Sequence, residues 1–385
     1  MSVTAAQGFE ASGVVAGLKS TGKPDVALVV NRGRRAAVAG VFTSNRAKAH
    51  PVIWSQQVVA DGEARAVVLN SGGANCFTGP FGFQTTHLTA ETVAEALDIG
   101  AGDVVVCSTG LIGVGDQTFR DKVIAGSQSA VVELSPTGGT AAATAIMTTD
   151  THAKEAVVQG DGWVVGGMAK GAGMLAPGLA TMLVVLTTDA DVPAAKLDSA
   201  LRSATHVTFD RLDSDGCMST NDTVVLLSSG ESGITPDDDA FTRAVTALCA
   251  DLAEQLQGDA EGASHDITIE VVGAVSEDEA VEVGRSLARS NLLMAAVFGN
   301  DPNWGRVLAA IGTTSAQFDP YDVDVSFNGV RLCAKGAPDR PVTDCDMSPR
   351  ALRILLDLHA GPATATILTN DLTHDYVHEN SAYSS

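Results

Sequence analysis

The stretch Lys170-Gly171-Ala172-Gly173-Met174-Leu175-Ala176-Pro177-Gly178-Leu179-Ala180-Thr181-Met182-Leu183 constrains this chain more than any other. It sets a glycine-rich, proline-containing loop directly before a threonine that opens the apolar run 182–186, which reads as a buried strand. Small residues leave the backbone around Ala180-Thr181 open to a strained turn, in which the Thr181 hydroxyl is able to attack the carbonyl just before it. A chain cut there would start its second half with a nucleophilic hydroxyl and its own base. A free α-amino group titrates at about 7.7 to 8.0 and accepts the hydroxyl proton. Residue physics equally allows the plainer alternative, a β-branched residue at the start of a strand.

At 385 residues the chain has ample material for two domains or one large one. Hydrophobic residues make up 45% and aromatics 4%, so a folded core of small and β-branched side chains is expected and disorder is not. The net charge of −22 disfavours nucleic acid and anionic membranes as partners and favours small cations. Cys76, Cys107, Cys217, Cys249, Cys333 and Cys345 form no C-x-x-C pair, which points to reduced thiols. Without a basic, apolar leader or an apolar run of about 18 residues, a soluble cytoplasmic protein is expected.

Short apolar runs bounded by Gly, Asp or Asn place strands at 26–30, 36–41, 66–69 and 104–107, with a helix over 85–97. Beyond Thr181 the pattern predicts strands at 182–187, 223–228, 267–272 and 363–368. Helices are predicted at 193–205, opened by Pro193, and at 236–256, with Phe241, Val245, Leu248 and Leu252 on one face. Ser276 and Glu279 make a capping-box start for a helix to about 289. Asn328-Gly329 turns a hairpin of 323–327 and 330–332. Ser348-Pro349 opens a helix to about 359. Strands and helices alternate without a strict βαβ period, so the expected class is α/β, with mixed sheets layered against helices.

Three motifs compete for a role. Gly17-Leu18-Lys19-Ser20-Thr21-Gly22-Lys23 spells most of a phosphate-binding loop, but Pro24 stands where a hydroxyl is needed, so a surface loop is expected. His374, Asp375, His378 and Glu379 have helical metal-ligand spacing within a tail that reads as solvated, and no metal is assigned. Cys107 reads as an inert buried thiol. The turn Thr109-Gly110-Leu111-Ile112-Gly113 follows a strand and is suited to aiming backbone donors into a cavity.

The Lys170 to Leu183 block resembles the self-cleavage segment of the ornithine acetyltransferase (glutamate N-acetyltransferase) family of arginine biosynthesis. Phe42-Thr43-Ser44-Asn45-Arg46, Asn70-Ser71-Gly72-Gly73-Ala74-Asn75, Ser108-Thr109-Gly110-Leu111-Ile112-Gly113, Met147-Thr148-Thr149-Asp150-Thr151, Ser219-Thr220-Asn221-Asp222, Phe298-Gly299-Asn300-Asp301-Pro302-Asn303-Trp304-Gly305-Arg306 and the tail from Asn380 to Ser385 also match. The resemblance spans the whole chain. It implies an α/β sandwich of the amino-terminal-nucleophile type, cut between Ala180 and Thr181. An α chain (1–180) carries the oxyanion and substrate loops and a β chain (181–385) begins with the nucleophile. The two stay associated as a dimer of such pairs.

The implied reaction is a double displacement, in which acetyl passes from N-acetylornithine to Thr181 and then to glutamate, with no cofactor. The resemblance places the oxyanion hole at Thr109 and Gly110 and substrate contacts at Thr148, Lys170, Thr181, Glu261, Asn380 and Ser385. Thr148 and Thr149 are not told apart, and acetyl-CoA stays open as a second acetyl donor. Gly73 replaces a frequent Asn, and Cys217-Met218 replaces the usual Asp-Thr, which bears on fine specificity. The alternatives are a self-processing amidase or aminopeptidase, and an uncut amino-acid-binding protein.

Overall fold

Odd and even residues of the apolar strands face different cores, as the two-residue period of a pleated strand requires. The computed structural model describes residues 2–175 and 182–382. A four-stranded sheet runs in the order Phe9–Val14, Val26–Asn31, Ala66–Asn70, Val104–Ser108, with only its last pair parallel. A five-stranded sheet runs in the order Ala37–Phe42, Thr223–Ser228, Leu183–Thr188, Val164–Lys170, Lys154–Gln159. There the parallel pair is Leu183–Thr188 with Thr223–Ser228.

These sheets stack face to face. Ala27, Val29, Val67, Leu69 and Val105 of the first meet Met168, Leu183, Val185, Val225 and Leu227 of the second. The outer face of the first sheet, through Val26, Leu28, Val68 and Val106, packs on Ala90, Val93 and Ala130 of the helices Gly79–Leu97 and Gln117–Val132. The outer face of the second, through Val184, Leu186, Val224 and Leu226, packs on the helices Ala194–Val207 and Asp238–Gly258. The result is four layers, helix, sheet, sheet, helix. Strands buried on both faces read in sequence as unbroken apolar runs.

The rest of the chain makes a six-stranded sheet in the order Ala337–Pro338, Val330–Ala334, Asp324–Phe327, Ala351–Asp357, Asp266–Ala274, Ala363–Asn370. One face packs on the helices Glu277–Ala288, Asn291–Phe298 and Trp304–Ile311. On that sheet Arg353 is exposed and pairs with Glu270 of the neighbouring strand.

Most expected elements are present, including the hairpin, whose turn residues Asn328 (φ 47°) and Gly329 (φ 81°) are both left-handed. The Ser276 side chain caps Glu279 N at 3.3 Å as expected. The helix expected from Ser348-Pro349 is instead the strand Ala351–Asp357, paired with Asp266–Ala274 and Asp324–Phe327. Leu352, Ile354, Leu356 and Leu358 are buried at every second position, a strand period that outweighs the helix preference of leucine once edges are offered on both sides. The helix expected at 85–97 begins six residues earlier, at Gly79, with proline in its first turn. Among the described residues, no helix is long and apolar enough to cross a membrane.

Leu186 lies on the central strand of the five-stranded sheet and is fully buried. Leu186→Ala is expected to cost about 2–5 kcal/mol, read as a lower urea midpoint at unchanged slope.

Candidate active site

Loops from several layers meet at one end of the two stacked sheets. Asn70 and Ser108 end adjacent strands, Lys170 ends a third, and Asn221 and Asp222 immediately precede a fourth. The pocket formed there is lined by Thr109, Gly110, Thr148, Thr149, Lys170, Glu261 and Asn380, and also by Ala74, Gly173, Met174, Ser219, Thr220 and Asn221. The structure thus brings together the expected residues Thr109, Gly110, Thr148, Lys170, Glu261 and Asn380. Thr148 and Thr149 both face it. Ala180, Thr181 and Ser385 lie outside the described residues.

Lys170 is buried, and its Nζ donates to Thr109 Oγ1 at 3.4 Å. Burial pulls its ammonium below the usual lysine range, opposed by Asp150, while Lys154 adds to the lowering and Asp222 and Glu261 resist it. Asp150 is itself buried: Oδ1 accepts Lys154 Nζ and Gly171 N, each at 2.7 Å, and Oδ2 accepts Thr148 N at 2.9 Å. Burial alone would raise the Asp150 carboxyl, but the charges of Lys170 and Lys154, with hydrogen bonds from Lys154 and Thr148, hold it at about 2. Lys154 also reaches Asp259 Oδ2 at 2.6 Å, so each of these buried carboxylates has a cation partner.

The Thr109 N–H is taken by Asn70 O at 3.0 Å. Its hydroxyl, which accepts from Lys170, keeps its own proton to donate into the pocket. Gly110 lies at φ +121°, and a Cβ there would sit 2.8 Å from Gly73 N, so the chain needs glycine at that position. Among the described residues the Gly110 N–H has no protein acceptor. A hydroxyl and an amide N–H are the donor types that a developing oxyanion requires.

Asn221 joins these walls. Its Nδ2 donates to Ala74 O at 2.6 Å and to Ser108 O at 2.8 Å, and its Oδ1 accepts from Thr220 at 2.6 Å. The next residue, Asp222, is fully buried; Oδ1 accepts Met182 N at 3.0 Å, and Oδ2 has no partner among the described residues. Burial pushes the Asp222 carboxyl well above the usual range, against the Met182 hydrogen bond.

On the opposite wall Glu261 Oε2 accepts Asn380 Nδ2 at 3.0 Å. A Cβ at Gly173 would lie 2.5 Å from that carboxylate, so the second glycine of the Lys170 loop makes room for it. Asn380 belongs to the helix His374–Ala382. That helix is tied down by Thr373, whose hydroxyl donates to Gly262 O at 2.6 Å and accepts from Tyr376 N at 2.9 Å.

The remaining motifs lie elsewhere or do other work. Residues 374, 375, 378 and 379 are on the C-terminal helix, where the His374 ring meets Phe298 edge-on. Burial pushes the Cys107 thiol up to about 12, which keeps it protonated. The loop at 17–24 wraps the chain's own carboxylate: Ala16 N and Leu18 N reach Asp25 at 2.6 Å and Lys19 N at 3.0 Å. Asp150, Asn221 and Asp222 all sit in stretches visible as motifs. Asp150 bonds Thr148 and Lys154 nearby and Gly171 21 residues on, whereas the partners of Asn221 and Asp222 at Ala74, Ser108 and Met182 lie 40 or more residues away, where no local spacing reveals them.

The model of the ArgJ family matches residues 10–385. The arginine biosynthesis bifunctional protein ArgJ of Streptomyces coelicolor is 64% identical over 385 residues, 100% of each chain. The protein of the same name from Thermobifida fusca is 57% identical over 385 residues, again 100% of each chain. A solved structure of ornithine acetyltransferase complexed with ornithine, from Mycobacterium tuberculosis, shares 53% identity, covers 47% of this chain and 96% of its own, and has a TM-score of 0.44.

Removing the Asn221 amide strands two buried carbonyls, so Asn221→Ala is expected to lower stability by about 1–3 kcal/mol. Urea denaturation measures this. A variant that unfolds like the wild type would show that the three walls hold without it.

Proposed function

The chain belongs to the ArgJ family, and from that premise we propose that it is a glutamate N-acetyltransferase of arginine biosynthesis, moving acetyl from N-acetylornithine to glutamate. The observation that carries this is identity of 64% across the full length of a relative named for that pathway. The pocket supports it by gathering Thr109, Gly110, Thr148, Lys170, Glu261 and Asn380.

In this reading the chain cuts itself between Ala180 and Thr181. The Thr181 hydroxyl then attacks the acetyl carbonyl of N-acetylornithine while its α-amino group takes the hydroxyl proton. The Thr109 hydroxyl and Gly110 N–H receive the oxyanion. The C–N bond breaks, ornithine leaves with the proton, and acetyl remains on Thr181 as an ester. The amine of glutamate then attacks that ester by the same route, releasing N-acetylglutamate and the free hydroxyl.

Lys170 receives the α-carboxylate that both substrates carry, and Glu261, held by Asn380, receives the distal ammonium of ornithine. Ser385 and Thr148 complete the substrate contacts. The word bifunctional in the relatives' name supports acetyl-CoA as a second donor to glutamate. The two chains stay together because strand Val164–Lys170 pairs with Leu183–Thr188 along its length. A dimer of such pairs in the cytoplasm completes the proposal.

Intact mass under denaturing conditions and amino-terminal sequencing test the first step. Two chains are expected, the second beginning Thr-Met-Leu-Val. Thr181→Ala should leave one chain of 39.3 kDa and lower acetyl transfer by about 10³-fold or more. Acetyl released from the enzyme without glutamate would favour an amidase, and an uncut wild-type chain that binds ornithine without turnover would favour a binding protein.

A further inference from the structure

We propose that Asp150 is a positioning residue for the transfer reaction, its carboxylate clamping the Thr148 wall of the pocket to the Lys170 wall and supplying the negative charge that faces Lys170. This rests on the reading of Lys170 as the receiver of the substrate carboxylate.

The geometry is specific to a carboxylate. Three donors converge on the two oxygens, Lys154 Nζ and Gly171 N on one and Thr148 N on the other. An asparagine has one acceptor oxygen, so its NH₂ would be forced against a donor. Gly171 directly follows Lys170, and Thr148 lines the pocket. One buried side chain therefore fixes both the register of the lysine and the position of the facing threonine. The clamp is anchored from behind by Lys154, which bridges Asp150 to Asp259. Asp259 in turn holds the Thr151 N–H at 2.9 Å.

The charges around Lys170 arrive from every side. Asp150 and Lys154 come from the 148–154 segment, Asp222 from the residue before strand Thr223–Ser228, and Glu261 from the opposite wall of the pocket. Lys19 on the 17–24 loop also interacts with Lys170. Among the acids, Asp150 acts most strongly on Lys170. Asp150 favours the ammonium and Lys154 disfavours it, so removing one or the other displaces the Lys170 titration in opposite directions.

That opposition supplies the test. KM for N-acetylornithine is measured against pH for the wild type, Asp150→Asn, and the double variant Lys154→Met with Asp259→Asn, which removes the Lys154 charge together with the second carboxylate it bridges. As Lys170 loses its proton the carboxylate loses its counter-charge and KM rises. In Asp150→Asn this rise is expected at a pH lower by about one unit or more, and in the double variant at a higher pH than in the wild type. A merely structural role would move both variants in the same direction.

Thermal melts establish that each variant is folded at the assay temperature. If Asp150→Asn does not fold, Asp150→Glu decides, since it keeps the charge but displaces the oxygens that hold Thr148 N and Gly171 N; an unchanged KM in it overturns the clamp, and a raised KM supports it. Profiles that coincide with the wild type, or that shift together, overturn it as well. Lys170→Met reports separately: an unchanged KM there would show that Lys170 does not receive the carboxylate, a different failure from that of the clamp.

Discussion

The stacking of two sheets, each covered on its outer face by helices, is the constraint on which the pocket depends. Because both faces of strands such as Val26–Asn31 and Leu183–Thr188 are buried, the strands cannot slip by one residue without exchanging one core for another. Their ends are therefore fixed relative to each other. Asn70, Ser108 and Lys170 terminate strands and Asn221 precedes one, so the rigidity of the layers is passed directly to the walls of the pocket.

Within this frame the pocket is held by polar groups that water does not reach. Lys154 and Asp150 are fully buried side chains, and Lys170 is 1% exposed. Desolvating such charges costs several kcal/mol for each ion. The arrangement is tolerated because cation and carboxylate alternate and because backbone N–H groups fill the remaining acceptor sites. An apolar cluster of the same volume would pack as well, but it could not hold two loops by directional bonds.

Much of this was legible in the residues. Strands buried on both faces announced themselves as apolar runs, and the layered α/β class followed from their alternation with helices. Leu352, Ile354, Leu356 and Leu358 carried a strand period that the Ser348-Pro349 start signal concealed. The helix Asn291–Phe298 is apolar on nearly every side, so it lacks the one-sided period by which surface helices are recognised. At the pocket, Thr109, Gly110 and Lys170 were marked by the family resemblance of their glycine-rich blocks, since the turn and the lysine alone read as structural. Asn221 was different: its amide bonds residues 113 and 147 positions away, and nothing in its neighbours encodes that reach.

The five-stranded sheet takes Lys154–Gln159 and Val164–Lys170 from one side of the Ala180-Thr181 bond and Leu183–Thr188 and Thr223–Ser228 from the other. For the uncut chain, folding joins these strands in a unimolecular event at a fixed effective concentration. Were that bond cut, the same sheet would have to be rebuilt from two molecules that diffuse apart on unfolding, and the equilibrium would depend on protein concentration. For a chain cut only after it had folded, the persistence of the sheet would rest on its unfolding rate.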